Sequence, residues 1–533
     1  MNVKAQRSYP LLFVQALVFI LLGVFACLFM YCAVQRIGYP FEIEWLEGEM
    51  ICHGLQLLQG LQVYGPPSSQ FIAEIYPPVY YYVIAAVFKL AGAVSFPLLR
   101  LVSVMSLAGI LVLLYRIIRR EEGTRTTALL ACGFFISFYE IHGPWYDVGR
   151  VDMLFFFFIV SGLYALAYAR NRLLGIAAGA VLLVLACYTK QSAVYYLPFA
   201  FFYILLQDWR RGLLFGALAA ALVLGMFFGL NAGSDGWFAT YVLYNPLRYT
   251  ELMSRPIEQI PFKMLFEFRD HIWPEIRYEI FYKLPVFFTL TAGFLAHRGL
   301  TLKRSSRVSM WEMTALPAII SYFSIRPHLG SEKNDFMYLT LWGCMLLGLM
   351  LTRLAKSHAD DARQSVKTAL YLLLAGQLAL QLYSPQKLVP APGSAEKGRQ
   401  IISMIRSMPG QVYLPYHPYY GIMAGKEKIM SGGAYWAWQI LSKEPYIPVD
   451  LLEKIRRKYF AAIIVDDKAS MTAKGDRVFI DNLKIFMTSG DAVANAIQQH
   501  YEPGGRLPYA TDDQFLCTTG LYTRPELILV PKP

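Results

Sequence analysis

The stretch that decides the fold is Phe41-Glu-Ile-Glu-Trp-Leu-Glu-Gly-Glu49, together with the apolar run at 10–34 that precedes it. Four carboxylates, Glu42, Glu44, Glu47 and Glu49, follow directly on a segment long enough to cross a bilayer. Carboxylates beside lipid are costly unless water, a cation or a reaction uses them. A solvated acidic loop is the plain reading. Four acids within eight residues beside Trp45 favour a working site.

Working outward, the chain of 533 residues is 56% hydrophobic and 15% aromatic, with 16% charged. Soluble domains carry about a quarter charged residues. The shortfall comes from repeated apolar runs of transmembrane length, at 10–34, 100–118, 127–144, 153–169, 173–189, 192–207, 212–230, 280–296, 308–325, 336–352 and 368–383. They predict an all-α polytopic membrane protein with about eleven spans. Lys4 and Arg7 ahead of the first run resemble a signal peptide, but the run is too long and no small-residue cleavage site follows, so it is expected to stay as a span.

The net charge of +12 does not imply nucleic acid, because the excess basic residues sit in alternate short loops. These are Lys4/Arg7, Arg116–Arg125, Arg170/Arg172, Arg210/Arg211, Arg298–Arg307 and Arg353–Lys367, which the positive-inside rule puts in the cytoplasm. The apolar stretch 79–94 would invert that rule if it spanned. It is short, starts at Tyr-Pro-Pro and contains Lys89, so it is expected to lie along the interface on the outer side. Residues 44–59 are expected to form a second such helix, with Glu44 and Glu47 on one face. After Tyr383 the composition turns to Pro, Gly, Lys and Asp. Strand-like runs at 461–466 and 527–530 and an amphipathic stretch at 449–458 predict a soluble α/β domain. The expected division is 1–383 in the membrane and 384–533 outside. The seven cysteines show no metal-binding spacing; Cys52 and Cys517 are both expected outside, where a bridge could form but is not expected.

This topology gathers the unusual polar residues on the outer face. Neighbouring carboxylates raise one another's pKa, which suits Glu44 and Glu47 to proton abstraction, or to an oxygen-ligated Mg²⁺, Mn²⁺ or Ca²⁺. Asp147, Arg150 and Asp152 lie in Trp145-Tyr-Asp-Val-Gly-Arg-Val-Asp152, where the acids could orient an acceptor and Arg150 hold phosphate. Arg100, Lys190, Arg326, His328 and Lys333 are further candidate phosphate ligands. Each has a plainer alternative as a structural ion pair, a snorkelling arginine or a polar turn.

The order of these features resembles the GT-C superfamily of integral-membrane glycosyltransferases. The similarity is to the protein O-mannosyltransferase-like, lipid A aminoarabinose transferase-like and rhizobial lipopolysaccharide glycosyltransferase-like groups. The matching residues are Trp45-Leu-Glu-Gly-Glu49, Gly60-Leu-Gln-Val-Tyr64, Tyr76-Pro-Pro-Val79, Arg100 and Gly149-Arg-Val-Asp152. The resemblance implies a helical bundle with juxtamembrane helices in the first outer loop. It implies a polyprenyl-phosphate sugar donor and a lipid, glycan or protein acceptor, with a first-loop acid as base, best matched by Glu47 and next by Glu44. Tyr76 replaces the family's frequent Lys or His before Pro-Pro. The expected location is the bacterial inner membrane, with the N-terminus cytoplasmic. The rival readings are a transporter or lipid flippase, which would carry charges at mid-bilayer depth, and a non-catalytic scaffold.

Overall fold

A computed structural model describes residues 9–248, 269–301, 308–326, 331–356, 361–443, 445–467, 469–473, 476–480 and 491–533. Each predicted apolar run contains helix. The first half of the chain gives α1 (Tyr9–Ile37), α2 (Glu47–Leu58), α3 (Val79–Ala91), α4 (Phe96–Arg120) and α5 (Arg125–Ser137). It continues with α6 (Asp152–Tyr168), α7 (Arg172–Cys187), α8 (Tyr196–Gln207) and α9 (Trp209–Ala232). Short polar side chains start several of them. Thr124, Asn171 and Asp208 each accept from free amides of the first turn of α5, α7 and α9. Further helices are Pro285–Leu300, Ala315–Ile325, Met337–Lys356 and Asp361–Leu380. Met337–Lys356 is the centre of the bundle, with fifteen of its twenty residues buried.

Among the described residues, length and composition qualify four helices as membrane-crossing: α1, α4, α9 and Lys333–Lys356. The pair Trp273–Lys283 and Pro285–Leu300, bent by 88°, makes a fifth if it counts as one span. The expected count of eleven is therefore not reached by helix length. α5, α6 and α7 are apolar but have 13, 17 and 16 residues. The predicted run 127–144 ends early because α5 stops at Ser137, and the turns that follow carry site residues up to α6. The run 308–325 divides at Thr314.

α3 has 13 residues, roughly 20 Å at 1.5 Å per residue, and packs on α2. α2 differs from expectation: it begins at Glu47, so Glu44 precedes it rather than sharing its face.

The basic loops gather at one end of the bundle. Arg298 and Arg353 both pair with Glu312 at 2.7 Å, Lys356 pairs with Glu122, and Trp311 donates to the Tyr168 hydroxyl. The first-loop acids lie at the other end, beneath the C-terminal residues. There a sheet runs in the order β1 (Gln411–Tyr413), β2 (Phe460–Val465), β6 (Leu527–Pro531), β5 (Tyr501–Arg506). A separate hairpin holds β3 (Ala469–Ala473) and β4 (Asp476–Ile480). The two strands read from the sequence are direct antiparallel neighbours, with Ile463 opposite Leu529. The amphipathic stretch forms the helix Val449–Arg456.

The C-terminal residues are tied to the first loop. The amides of Thr518 and Thr519 both donate to the Ile43 carbonyl, and the Tyr420 hydroxyl accepts from the Glu42 amide. Cys52 and Cys517 are both buried and both free thiols.

Candidate functional site

Glu47 is the first residue of α2 and has no solvent exposure. One carboxylate oxygen accepts from Arg100 Nε at 2.9 Å and the Gly149 amide at 2.7 Å. The other accepts from an Arg100 terminal nitrogen at 2.6 Å and the Ile43 amide at 2.9 Å. A carboxylate offers about four lone-pair sites, and these four donors fill them. Arg100 is equally committed, since it also donates to the carbonyls of Arg36, Tyr39 and Phe41. The pair thus fastens α4 to the turn between α1 and α2. Gly149 is required here, because a Cβ would come within 2.1 Å of Leu99.

Glu44 is held differently. Arg150 places one terminal nitrogen 2.9 Å from both its oxygens, and the Leu46 amide reaches Oε2 at 3.2 Å. Oε1 therefore keeps an open acceptor site. Burial raises the Glu44 carboxyl and Arg150 partly offsets it, leaving it pushed up to about 7. Arg150 is itself positioned by the Tyr76 hydroxyl at 3.2 Å and lies against the Tyr76 and Trp145 rings.

Asp147 and Asp152 are both paired. Asp147 binds Arg36 at 2.9 Å and accepts from Tyr139. Arg36 also donates to the Thr518 and Thr519 hydroxyls, so this pair fastens α1 to the C-terminal residues. Asp152 accepts from Trp145 at 2.8 Å and from Lys190 at 2.9 Å, and Lys190 bridges on to Asp335 at 3.1 Å. Arg326 lies between Glu275 at 2.8 Å and Glu279 at 3.0 Å. His328 lies outside the described residues. Lys333 has no hydrogen bond or ion pair among the described residues.

Lys333 faces a cavity of about 1540 Å³. Leu372, Leu373 and Leu380 form an apolar outer wall and are exposed on the surface of the bundle. Trp145, Gly520 and Thr518 form the inner wall. Glu44 lies just behind it, because a Cβ on Gly520 would sit 3.4 Å from Trp145 and 3.6 Å from Glu44. Gly520 has φ +66°, a conformation that suits glycine.

Sequence reasoning missed two buried groupings. Glu49 and Glu74 are neighbours at the base of the first loop. Burial and the Glu74 carboxyl raise Glu49 well above the usual carboxylate range, and Ser431 donates to it at 2.9 Å. His53 accepts from the Glu74 amide at 3.0 Å, and burial pushes it down to about 4, so it is neutral. In the second, His417 lies between Glu42 and Asp466. Burial works to lower the imidazole, but the two carboxylates outweigh it and push it up to about 10. The density of acids in 42–49 signalled that partners exist. Nothing local pointed to His417, 375 residues away.

The donor set does not suit a divalent cation. Arg150 and Arg100 occupy Glu44 and Glu47 separately, and no group of three His, Cys, Asp or Glu side chains among the described residues has metal-binding geometry.

Comparison with known proteins bears on this arrangement. Residues 76–230 match the family model for dolichyl-phosphate-mannose-protein mannosyltransferases. The structure superposes on ArnT from Cupriavidus metallidurans bound to undecaprenyl phosphate, with a TM-score of 0.53 at 12% identity over 96% of this chain and 97% of that one. The chain has the GT-C fold. A second GT-C structure is the archaeal oligosaccharyltransferase AglB from Archaeoglobus fulgidus, in complex with an inhibitory peptide and a dolichol-phosphate. It matches with a TM-score of 0.52 at 11% identity, covering 93% of this chain and 80% of that chain. No curated protein matches the sequence. The likeness in fold thus covers nearly the whole chain, beyond the residues 76–230 that the family model matches.

Proposed function

We propose that this protein transfers a sugar from a polyprenyl-phosphate carrier to an acceptor hydroxyl at the outer face of the membrane. The observation that carries the reading is a cavity with an apolar, lipid-side wall and an inner wall of Trp145, Gly520 and Thr518, with Glu44 just behind that wall; Lys333 faces the cavity and makes no hydrogen bond or ion pair among the described residues. A lipid-linked donor suits such a cavity because its chain can lie along Leu372, Leu373 and Leu380 while its phosphate meets Lys333. The undecaprenyl phosphate and dolichol-phosphate of the two similar structures are ligands of this kind.

In this mechanism Glu44 is the base. Its Oε1 has room for a hydroxyl proton, whereas Glu47 has none. A carboxyl pushed up to about 7 is also matched to proton transfer near neutral pH. The acceptor oxygen gives its proton to Glu44 and forms a bond to the anomeric carbon. The bond from that carbon to the phosphate oxygen breaks on the opposite side, so configuration inverts. Polyprenyl phosphate leaves with the electron pair, its charge met by Lys333. Glu47 and Arg100 hold the loop that carries Glu44.

The basic loops support a cytoplasmic end opposite the site, with residues 384–533 outside in this reading. Against transport, Arg100, Asp152 and Lys190 lie at helix ends and are paired. The test is donor consumption by the purified full chain, comparing wild type with Glu44→Gln and Glu47→Gln. Loss of turnover by about 10²-fold or more in a folded Glu44→Gln protein supports the assignment. Unchanged turnover removes Glu44 from the chemistry.

A further inference from the structure

The opposite end of the molecule holds a second cationic feature. α4 exposes Leu101, Met105, Ala108 and Val112 along one face, and the same face ends in Arg116 and Arg119. Steps of three and four residues make this one continuous stripe. Arg116, Arg119 and Arg120 line a pocket of about 440 Å³ with Tyr164 of α6.

The nearby acids do not neutralise these arginines. Glu121 accepts from the Tyr168 hydroxyl at 2.5 Å, and Glu122 pairs with Lys356. Three other cations of this end have acidic partners: Arg298 and Arg353 share Glu312, and Arg211 pairs with Asp208 at 3.0 Å. Arg119 donates to the Gly123 carbonyl at 2.7 Å, while Arg116 and Arg120 make no hydrogen bond or ion pair among the described residues. Arginines at a helix C-terminus do oppose the helix dipole, but that role needs no pocket and no apolar track leading to it.

We propose that this pocket binds the phosphodiester headgroup of an anionic phospholipid, with the acyl chains lying along the α4 stripe. A guanidinium offers phosphate two parallel hydrogen bonds, and the pocket is of a size that holds a small ligand. The apolar stripe selects a lipid over soluble phosphate, because only a lipid covers both parts of the feature.

The test is native mass spectrometry of the full chain in detergent, with thermal unfolding in parallel. Phosphatidylglycerol, phosphatidylcholine and inorganic phosphate are the added probes. The expected result is retention of phosphatidylglycerol roughly tenfold or more over phosphatidylcholine, with a rise in the unfolding midpoint that phosphate alone does not give. Arg116→Gln combined with Arg120→Gln abolishes the preference. These side chains are exposed and unpaired, so the variant keeps its fold. Arg211→Gln, exposed at the same end but paired in the wild type, keeps the preference. Equal retention of the two lipids, or an unchanged preference in the double variant, overturns the proposal. Stabilisation by phosphate equal to that by phosphatidylglycerol overturns the lipid assignment.

Discussion

Glu47→Gln separates a holding role from a chemical one. The substitution keeps shape and removes charge. In the wild type every neighbour of Glu47 is a donor: Arg100 twice, and the amides of Ile43 and Gly149. Whichever way the new amide is turned, its nitrogen faces two of these donors and loses both bonds. Hydrogen bonds involving a charged group are each worth about 1.5–3 kcal/mol. Arg100 keeps three carbonyl acceptors but loses its counter-charge. The expected cost is about 3–5 kcal/mol, the range for removing one partner of a buried pair. Glu44→Gln should cost less than about 1 kcal/mol at pH 7, because a carboxyl pushed up to about 7 is already half protonated there. The assay is thermal unfolding in detergent at one scan rate, followed with a thiol-reactive dye. Cys52 and Cys517, both buried, become reactive on unfolding. Glu47→Gln should melt several degrees below wild type, and Glu44→Gln close to it. A Glu47→Gln protein that melts with wild type yet has lost turnover would refute this reasoning and make Glu47 the reacting acid.

Other consequences can be measured alongside. If Glu44 must be ionised to act, kcat/KM falls about tenfold per pH unit below about 7; Arg150→Met removes the charge that favours ionised Glu44, so the limb moves to higher pH, and an unmoved limb assigns it to another group. Lys333→Ala should raise the KM for a lipid-phosphate donor by roughly ten- to a hundredfold, with a smaller change in kcat; an unchanged KM removes Lys333 from the donor site. His417 rises from 6.5 unfolded to about 10 folded, so its contribution to stability is full below pH 6.5 and disappears as pH rises through about 10. Hydrogen exchange across β2 should therefore lose protection over that window in wild type and lose less of it in His417→Gln. Matching profiles would place the pH dependence elsewhere.

The local features were legible. Apolar runs gave helices, strand-like runs at 461–466 and 527–530 became paired β2 and β6, and Tyr76-Pro-Pro led into the short helix α3. Helix ends were less so, because a run such as 127–144 stays apolar past Ser137, where α5 ends and the chain goes into turns. The partners of the charges were hidden for a different reason. Sequence shows that Arg100, Arg326 and Lys190 are cationic in an apolar setting, which fits a phosphate ligand or a buried ion pair equally well. The structure supplies the neutralising groups, Glu47, Glu275 with Glu279, and Asp152 with Asp335, at separations no local pattern encodes. Lys333 is the candidate of the 326–333 group with no hydrogen bond or ion pair among the described residues. The acid cluster was visible, but its division into a saturated Glu47 and an open Glu44 depends on counting donors in three dimensions.

The central claim is that Glu44 performs chemistry on a lipid-linked sugar. The most direct measurement is release of polyprenyl phosphate from a panel of polyprenyl-phosphate sugars by the purified full chain, wild type against Glu44→Gln, with membrane lipid extract as acceptor. Release by wild type with at least one donor, and its loss in a Glu44→Gln protein that melts with wild type, is the expected result. No release from any donor by wild type, or equal release by the two proteins, would contradict it.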